Sequence, residues 1–420
     1  FTAKVTDEHG ASDTIVVTVT VGTSDDNTLK LSATDWSAST AIDLGGGINV
    51  VNVLANGVDI SASGVPMVDH VDAGNLVGTG CDDSITLTGL QLDHIIIGNG
   101  TIDLGAGTHD TINLTSTSAH LNTLGATDAS IAGVEAVSAS TATAGVTIDL
   151  HGQSEAFAIT GSGFADTLTG GDGNDIITSG AGGDILTGGL GADAFVIASS
   201  GDLAGDVIDG TAQDKTNITD VIKLTTGGAY DLSDANGIAT VSNIDNIALT
   251  NAAGGYSVIV GDELVSSAHY NGASTGYLHF GSGGSTVTGS ISIDASGLTG
   301  TNHLFVNGGG FTGNNTYAGG QGNDLFSSGG TDTFVFHNNF GNDTVQSFTA
   351  GNATGHDILQ FDSDVFASAT DVLSHASASG ADTVITDTSG HTVTLNGVDH
   401  TTLTSANIQI YDVINHVLIV

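Results

Sequence analysis

GSGFADTLT, GGDGNDIIT, SGAGGDILT and GGLGADAFV follow one another without a break from Gly161 to Val196. They are four nonapeptides in phase. Asp166, Asp175, Asp184 and Asp193 fall nine residues apart, and the apolar residue two places on from each is Leu168, Ile177, Leu186 or Phe195. A fixed period built of glycine turns and three-residue apolar strands is the signature of a coiled β architecture. The glycines permit positive φ, so a turn can bend tightly and aim its carbonyls inward. The apolar eighth residue points into the core. Two nonapeptides make one coil, so turns eighteen residues apart stack. Asp166 is thus expected above Asp184, and Asp175 above Asp193.

Stacked carboxylates repel unless something positive lies between them, and Gly161–Val196 contains no Lys or Arg. Carboxylate and carbonyl oxygens are the ligands of a hard cation such as calcium, which takes six to eight of them. The candidate metal-binding residues are Asp166, Gly170, Gly171, Asp172, Gly173, Asp175, Gly180, Gly182, Asp184, Gly188, Gly189, Gly191 and Asp193. A second, degenerate run, GFTGNNTYA, GGQGNDLFS and SGGTDTFVF, spans Gly310 to Phe336. It adds Asn315, Gly319, Gly320, Gly322, Asp324, Gly330 and Asp332 as candidates. Asp83 and Asp110 repeat the theme weakly, 27 residues apart, and a metal-free scaffold turn explains them as well as a metal site does.

Composition points the same way. The 420 residues carry 46 acidic and four basic side chains, a net charge of −42, with 62 glycines and one proline. All four basic residues are lysines, and only Glu8, Glu135, Glu155 and Glu263 among the acidic residues are glutamates. Asp with Gly and Asn suits tight turns and hard-cation sites, because its short carboxylate stays near the backbone. The charge excludes nucleic acid as a partner, since phosphate binding needs a basic patch. A hydrophobic content of 39% and a positive mean hydropathy argue for a folded chain. The single cysteine, Cys81, excludes an internal disulfide framework. No apolar stretch is long enough to predict a transmembrane segment. The chain starts at Phe1 without a signal-like segment and is expected to be a fragment or a processed product.

Elsewhere short runs rich in Val, Ile, Thr and Leu alternate with Gly/Asn/Asp/Ser turns, as in 13–21, 83–88 and 110–114. Helix is expected only briefly, for example within Ser363–Ser374. The expected fold is all-β, of elongated parallel β-roll or β-solenoid modules with calcium-binding turns. Five segments are expected. Residues 1–24 read as the end of an upstream sandwich, with a hairpin in 1–22. Residues 25–160 form a solenoid-like module, and 161–230 a β-roll with its cap. Residues 231–305 form a second β module, and 306–420 a degenerate roll with a C-terminal cap. An insertion near 255–289 gathers Tyr256, His269, Tyr270, Tyr277, His279 and Phe280, which read as a small local core in preference to a ligand surface.

The segment 161–196 resembles the calcium-binding β-roll of the RTX family, whose members leave the cell by type I secretion. The run Asp343-Thr-Val, Asp357-Ile-Leu-Gln-Phe and Thr394-Leu-Asn-Gly-Val looks like the cap and secretion region of such proteins. The ending Asp412-Val to Val417-Leu-Ile-Val loosely resembles their export tail, and 1–22 is similar to the end of a cadherin-like or VCBS repeat. Ser162, Ser179 and Asn315 depart from the repeat consensus. The resemblance implies an extracellular, cell-surface protein that binds several calcium ions. It implies a structural or adhesive role (surface layer, matrix or adhesin) with self-association or a surface glycan or protein as partner.

An enzyme is not expected. HExxH is absent, and the one G-x-S-x-G match, Gly272 to Gly276 around Ser274, lies in a chain where chance matches are common. Lyase chemistry on acidic sugars needs Arg or Lys to stabilise developing negative charge. The alternative is the calcium-binding and secretion part of a polysaccharide-modifying enzyme. His109 and His356, beside Asp110 and Asp357, read as surface turn residues.

Overall fold

Each strand is short because each apolar run is short, and it pairs with the equivalent run one coil later because only parallel stacking puts like side chains over like. The computed structural model describes residues 19–20, 28–31, 42–43, 49–53, 58–59, 74–97, 101–124, 130–211, 219–233, 239–250, 253–269, 276–414 and 417–419. They fall into two compact units, 1–191 and 192–420. The expected all-β, parallel coiled fold is what is found.

In the first unit, strands Thr28–Leu31, Asn49–Val53, Gly74–Thr79, Ile102–Gly105 and Ile131–Ala132 pair in parallel in that order. A second wall holds Ser84–Leu87, Thr111–Leu114, Ala136–Ser138, Ala158–Thr160 and Ile176–Thr178. A third holds Thr147–Asp149, Thr167–Thr169 and Ile185–Thr187. The coil shortens along the chain. Ser84 faces Thr111, whereas Ala158 faces Ile176, eighteen residues on, once the nonapeptides set the period. Ile85, Ile112, Val137, Ile159 and Ile177 stack in register and are fully buried. Each such side chain contributes roughly 1.5–3 kcal/mol of burial free energy.

The second unit repeats the plan with larger core residues. One column runs Phe195, Ile222, Ile247, Phe280, Val306, Phe326 and Val345. Another runs Tyr230, Val258, Ile293, Tyr317, Phe334, Leu359 and Ile408. Near the C-terminus the pairing turns antiparallel. Ala376–Ser379, Asp382–Thr386 and Thr392–Leu395 form a meander on the parallel array, and Val417–Ile419 folds back on Ile408–Asp412. A meander of this kind covers an edge that would otherwise continue the parallel pairing.

The brief helix expected near 363–374 is Ala369–Ser374, capped by the Ser368 side chain. Two helices were not expected, Gly89–Ile97 and Asp262–Ser267. The first begins with a reciprocal pair of bonds, Gln91 N–H to Thr88 Oγ1 and Thr88 N–H to Gln91 Oε1. That capping box overrides the strand-like Ile95-Ile96-Ile97. The expected hairpin lies outside the described residues except Val19–Thr20, which pairs in parallel with Ile42–Asp43. Tyr270 and Ser274 also lie outside them. Tyr256 and Phe280 are core residues, Tyr256 donating its hydroxyl to the Leu224 carbonyl, and buried His279 bonds Asn246. Among the described residues no helix is long and apolar enough to cross a membrane.

Candidate metal centre

The sixth residue of each nonapeptide opens a strand, and its carboxylate turns back into the coil. Asp166, Asp175 and Asp184 are all buried. Asp175 accepts the Gly171 N–H of its own turn at 2.7 Å and the Phe157 N–H of the preceding coil at 2.7 Å. Asp166 does the same with Ser162 N–H at 2.6 Å and Val146 N–H at 2.7 Å. The Asp166 N–H in turn donates to Asp184 Oδ1 at 2.8 Å, so the expected stacking of these two is present. Each carboxylate is therefore a rung, tying one turn to the coil before it. Asp172 sits on the outer side of its turn and is exposed.

The glycines serve close approach. A Cβ on Gly180 would lie 1.9 Å from the Ser162 carbonyl oxygen, and one on Gly182 would lie 2.7 Å from that of Phe164. One coil edge further on, Gly189 and Gly191 meet the carbonyls of Gly171 and Gly173 at 2.2 and 2.1 Å in the same way. The space a Gly170 Cβ would take is bounded by Asp175 Oδ2 and the Gly188 carbonyl, both at 2.2 Å. The carbonyls two and four residues before Asp166 and Asp175 thus project toward the next coil, beside the carboxylates. Residues 161–191 contain no Lys, Arg or His. Among the described residues no three His, Cys, Asp or Glu side chains come together as a metal cage. A cation here would rest largely on main-chain carbonyls.

This donor set fits calcium. It is all oxygen, part carboxylate and part carbonyl, on a backbone that glycine lets approach closely. Asp166, Asp175 and Asp184, with the carbonyls of Ser162, Phe164, Gly171 and Gly173, would hold the ion. It would supply positive charge where burial disfavours the carboxylates, of which Asp175 is pushed up to about 6 by that burial.

A family model, the RTX calcium-binding nonapeptide repeat in four copies, matches residues 160–195. Residues 160–195 thus match RTX calcium-binding repeats. Proteins with these repeats are typically exported by type I secretion. Among solved structures, the chain is similar to the extracellular lipase LipA from Serratia marcescens. The identity is 14%, over 79% of this chain and 67% of that chain, with a TM-score of 0.18. No curated protein matches significantly. The expectation that the chain is not an enzyme is corrected here, because a structure it resembles is that of a lipase. At this TM-score the likeness carries no argument for lipase chemistry either.

In the second unit the rungs continue beyond the RTX repeats. Asp324 copies Asp175, accepting Gly320 N–H at 2.9 Å and Leu304 N–H at 2.7 Å, with Gly319 packed against its carboxylate. The carbonyls of Asn302 and Gly322 meet Gly322 and Gly341 one coil later. Asp332 accepts from Ser328 Oγ and Gly329 N–H, and Gly330 lies over the Gly313 carbonyl. Asp193 N–H donates to Asp220, and Asp220 N–H to Asp245. In the first unit Asp83 N–H donates to Asp110 Oδ1 at 2.5 Å, and Asp110 also accepts Gly107 N–H at 3.1 Å.

Sequence reasoning missed Glu135, Asp220, Asp245, Asp343 and Asp357 as members of this ladder. They accept the N–H groups of Asp110, Asp193, Asp220, Asp324 and Asp332 respectively. The signal for the four aspartates was the triplet Asp-x-apolar at a strand start, which needs no glycine turn. His109 is exposed beside Asp82, and His356 bonds the Ala353 and Ala406 carbonyls.

A pH dependence follows. Burial raises Asp175 and Asp324 to about 6, and burial with the Asp324 charge raises Asp343 to about 9. An unfolded Asp titrates near about 3.9. Between those values the folded state holds more protons, so stability is full below about 4 and falls as pH rises. Asp93, Asp262 and Asp387, held low in pKa, act only below that window. His337, raised by Asp362, adds to the same slope. In chelator, the far-UV β signal is expected to be larger at pH 5 than at pH 7. The opposite order would show the buried carboxylates to be stable as anions without a cation.

Proposed function

We propose that the chain is the calcium-folded β-roll part of an extracellular protein, exported by type I secretion and serving a structural or adhesive role at the cell surface. The observation that carries this reading is the stack of buried carboxylates and projecting carbonyls in 161–191, with no cationic side chain in the segment. Such a stack is poorly stable at the low calcium of the cytosol and stable at the millimolar calcium outside, so folding is coupled to arrival outside the cell. Long parallel walls also favour association between copies, by stacking or by pairing at any edge left uncovered.

The test is light scattering and sedimentation of the chain during a calcium titration, with an activity screen on esters and polysaccharides on the same samples. Assembly or retention on a surface glycan, rising with calcium, is the expected result. A calcium-folded monomer that cleaves a polysaccharide would instead make the chain the calcium-binding and secretion part of a polysaccharide-modifying enzyme.

A further inference from the structure

Asn315 stands where the repeat calls for Asp, and its side chain makes bonds that an Asp cannot. It is buried. Its Oδ1 accepts the Ile291 N–H at 3.1 Å, as Asp166 Oδ1 accepts that of Val146. Its Nδ2 faces three oxygens: Asp332 Oδ1 at 2.8 Å, the Gly313 carbonyl at 3.2 Å and the Phe311 carbonyl at 3.5 Å. This network fixes the orientation of the amide, since a flip would set its oxygen against three acceptors and its NH₂ against an N–H.

Those three oxygens have counterparts in the first run. Phe311 and Gly313 lie four and two residues before Asn315, as Ser162 and Phe164 do before Asp166. Their carbonyls project onto Gly329 and Gly330 of the next coil, as those of Ser162 and Phe164 project onto Gly180 and Gly182. Asp332 answers to Asp184, the Asp one coil on. In the first run this oxygen set is the candidate calcium cradle. In the second, an N–H donor already points into it. Asp332 is further satisfied by Ser328 Oγ at 2.9 Å and Gly329 N–H at 3.1 Å.

We propose that the Asn315 amide takes the place of the calcium ion in the turn Gly310–Ala318, making that turn independent of calcium. The inference rests on the calcium reading of the first run. That turn then forms with calcium absent, and the chain binds one ion fewer than its repeat count suggests. Asn315, a candidate ligand from sequence, becomes the ion's substitute.

An anomalous difference map from crystals of the wild-type chain grown in calcium chloride tests this without any variant. Peaks are expected beside the Ser162 and Phe164 carbonyls and Asp184, and none within contact of Asn315 Nδ2. A peak against Gly313 and Asp332 would overturn the inference while leaving the calcium reading intact. No peak in either run would overturn the calcium reading itself. Calorimetric titration of Asn315→Asp with calcium chloride is expected to count one more ion per chain than wild type. An unchanged count in a folded variant would equally overturn the inference, and the crystal measurement decides if the variant does not fold.

Discussion

With calcium removed by a chelator, the chain is expected to lose most of its β-type far-UV circular dichroism, and to regain it cooperatively as calcium returns to millimolar levels. Extracellular modules bind calcium with dissociation constants of roughly 10⁻⁴–10⁻³ M. At about 1 mM free calcium and a constant of ~10⁻⁴ M, each site adds about 1.4 kcal/mol by mass action. Four sites then supply roughly 6 kcal/mol, comparable to the whole stability of a typical domain. The opposing force is visible in the first unit. Asp166, Asp175 and Asp184 are buried within a few ångströms of projecting carbonyls, on a chain of net charge −42. Without a cation these oxygens face one another in a medium that screens them poorly. A chain as β-rich and as compact in chelator as in calcium would mean that the carboxylate rungs alone hold the coil together, and the calcium-gated reading would fall.

The residual structure in chelator is informative as well. The turn around Asn315 carries its own N–H donor, and the coil beside it stacks Tyr317, Phe326 and Phe334 with centroids 5.7–6.3 Å apart. A residual β signal in chelator is therefore expected from 310–336 before any from 161–191. Hydrogen exchange in chelator would read this as slower exchange of the Phe326 and Phe334 amides than of those of Leu168 and Leu186.

The first run was legible because two independent requirements coincide in it. Glycine is needed where carbonyls of one coil touch the next, and Asp is needed where a short carboxylate must reach back four residues to its own turn. Both leave a mark at fixed spacing. The rungs at Asp220, Asp245, Asp343 and Asp357 accept an N–H of the preceding coil outside any nine-residue repeat, and one Asp among 42 marks nothing by itself. Their signal was the apolar residue two places on, a strand start shared by scaffold and ligand alike. Asn315 shows a different limit. Read against a consensus, it is a weakened Asp; read by its hydrogens, it is a donor where the consensus has an acceptor. The Gly89–Ile97 helix was hidden because Ile95-Ile96-Ile97 carries no period, and only the Thr88–Gln91 pair marks the start. The expectation of a non-enzymatic chain rested on missing motifs, and missing motifs constrain chemistry much less than residues that are present.

Gly180→Ala is expected to be the most damaging single methyl in the first run. Gly180 has φ +96°, and its new Cβ would fall 1.9 Å from the Ser162 carbonyl oxygen and 3.0 Å from that carbonyl's carbon. Holding an L-residue in a left-handed conformation costs about 1–2 kcal/mol. The clash must then be relieved by moving one of the two coils. Ser162 is not free to retreat, because its N–H is bonded to Asp166 Oδ2 at 2.6 Å. Loosening that buried, charge-assisted bond costs about 1.5–3 kcal/mol more. The sum, about 2.5–5 kcal/mol, equals the contribution of roughly two to four calcium sites. With four sites sharing the offset, the folding midpoint of the first run should therefore move to calcium concentrations about three- to tenfold higher. Gly163→Ala is the control in the neighbouring turn. Nothing lies within 4 Å of a Cβ there, so its effect should stay within about 0.5 kcal/mol. Equal calcium midpoints for the two variants would mean that the coils slide past the added methyl without loss, and that the carbonyl of Ser162 is not held in place as a ligand must be.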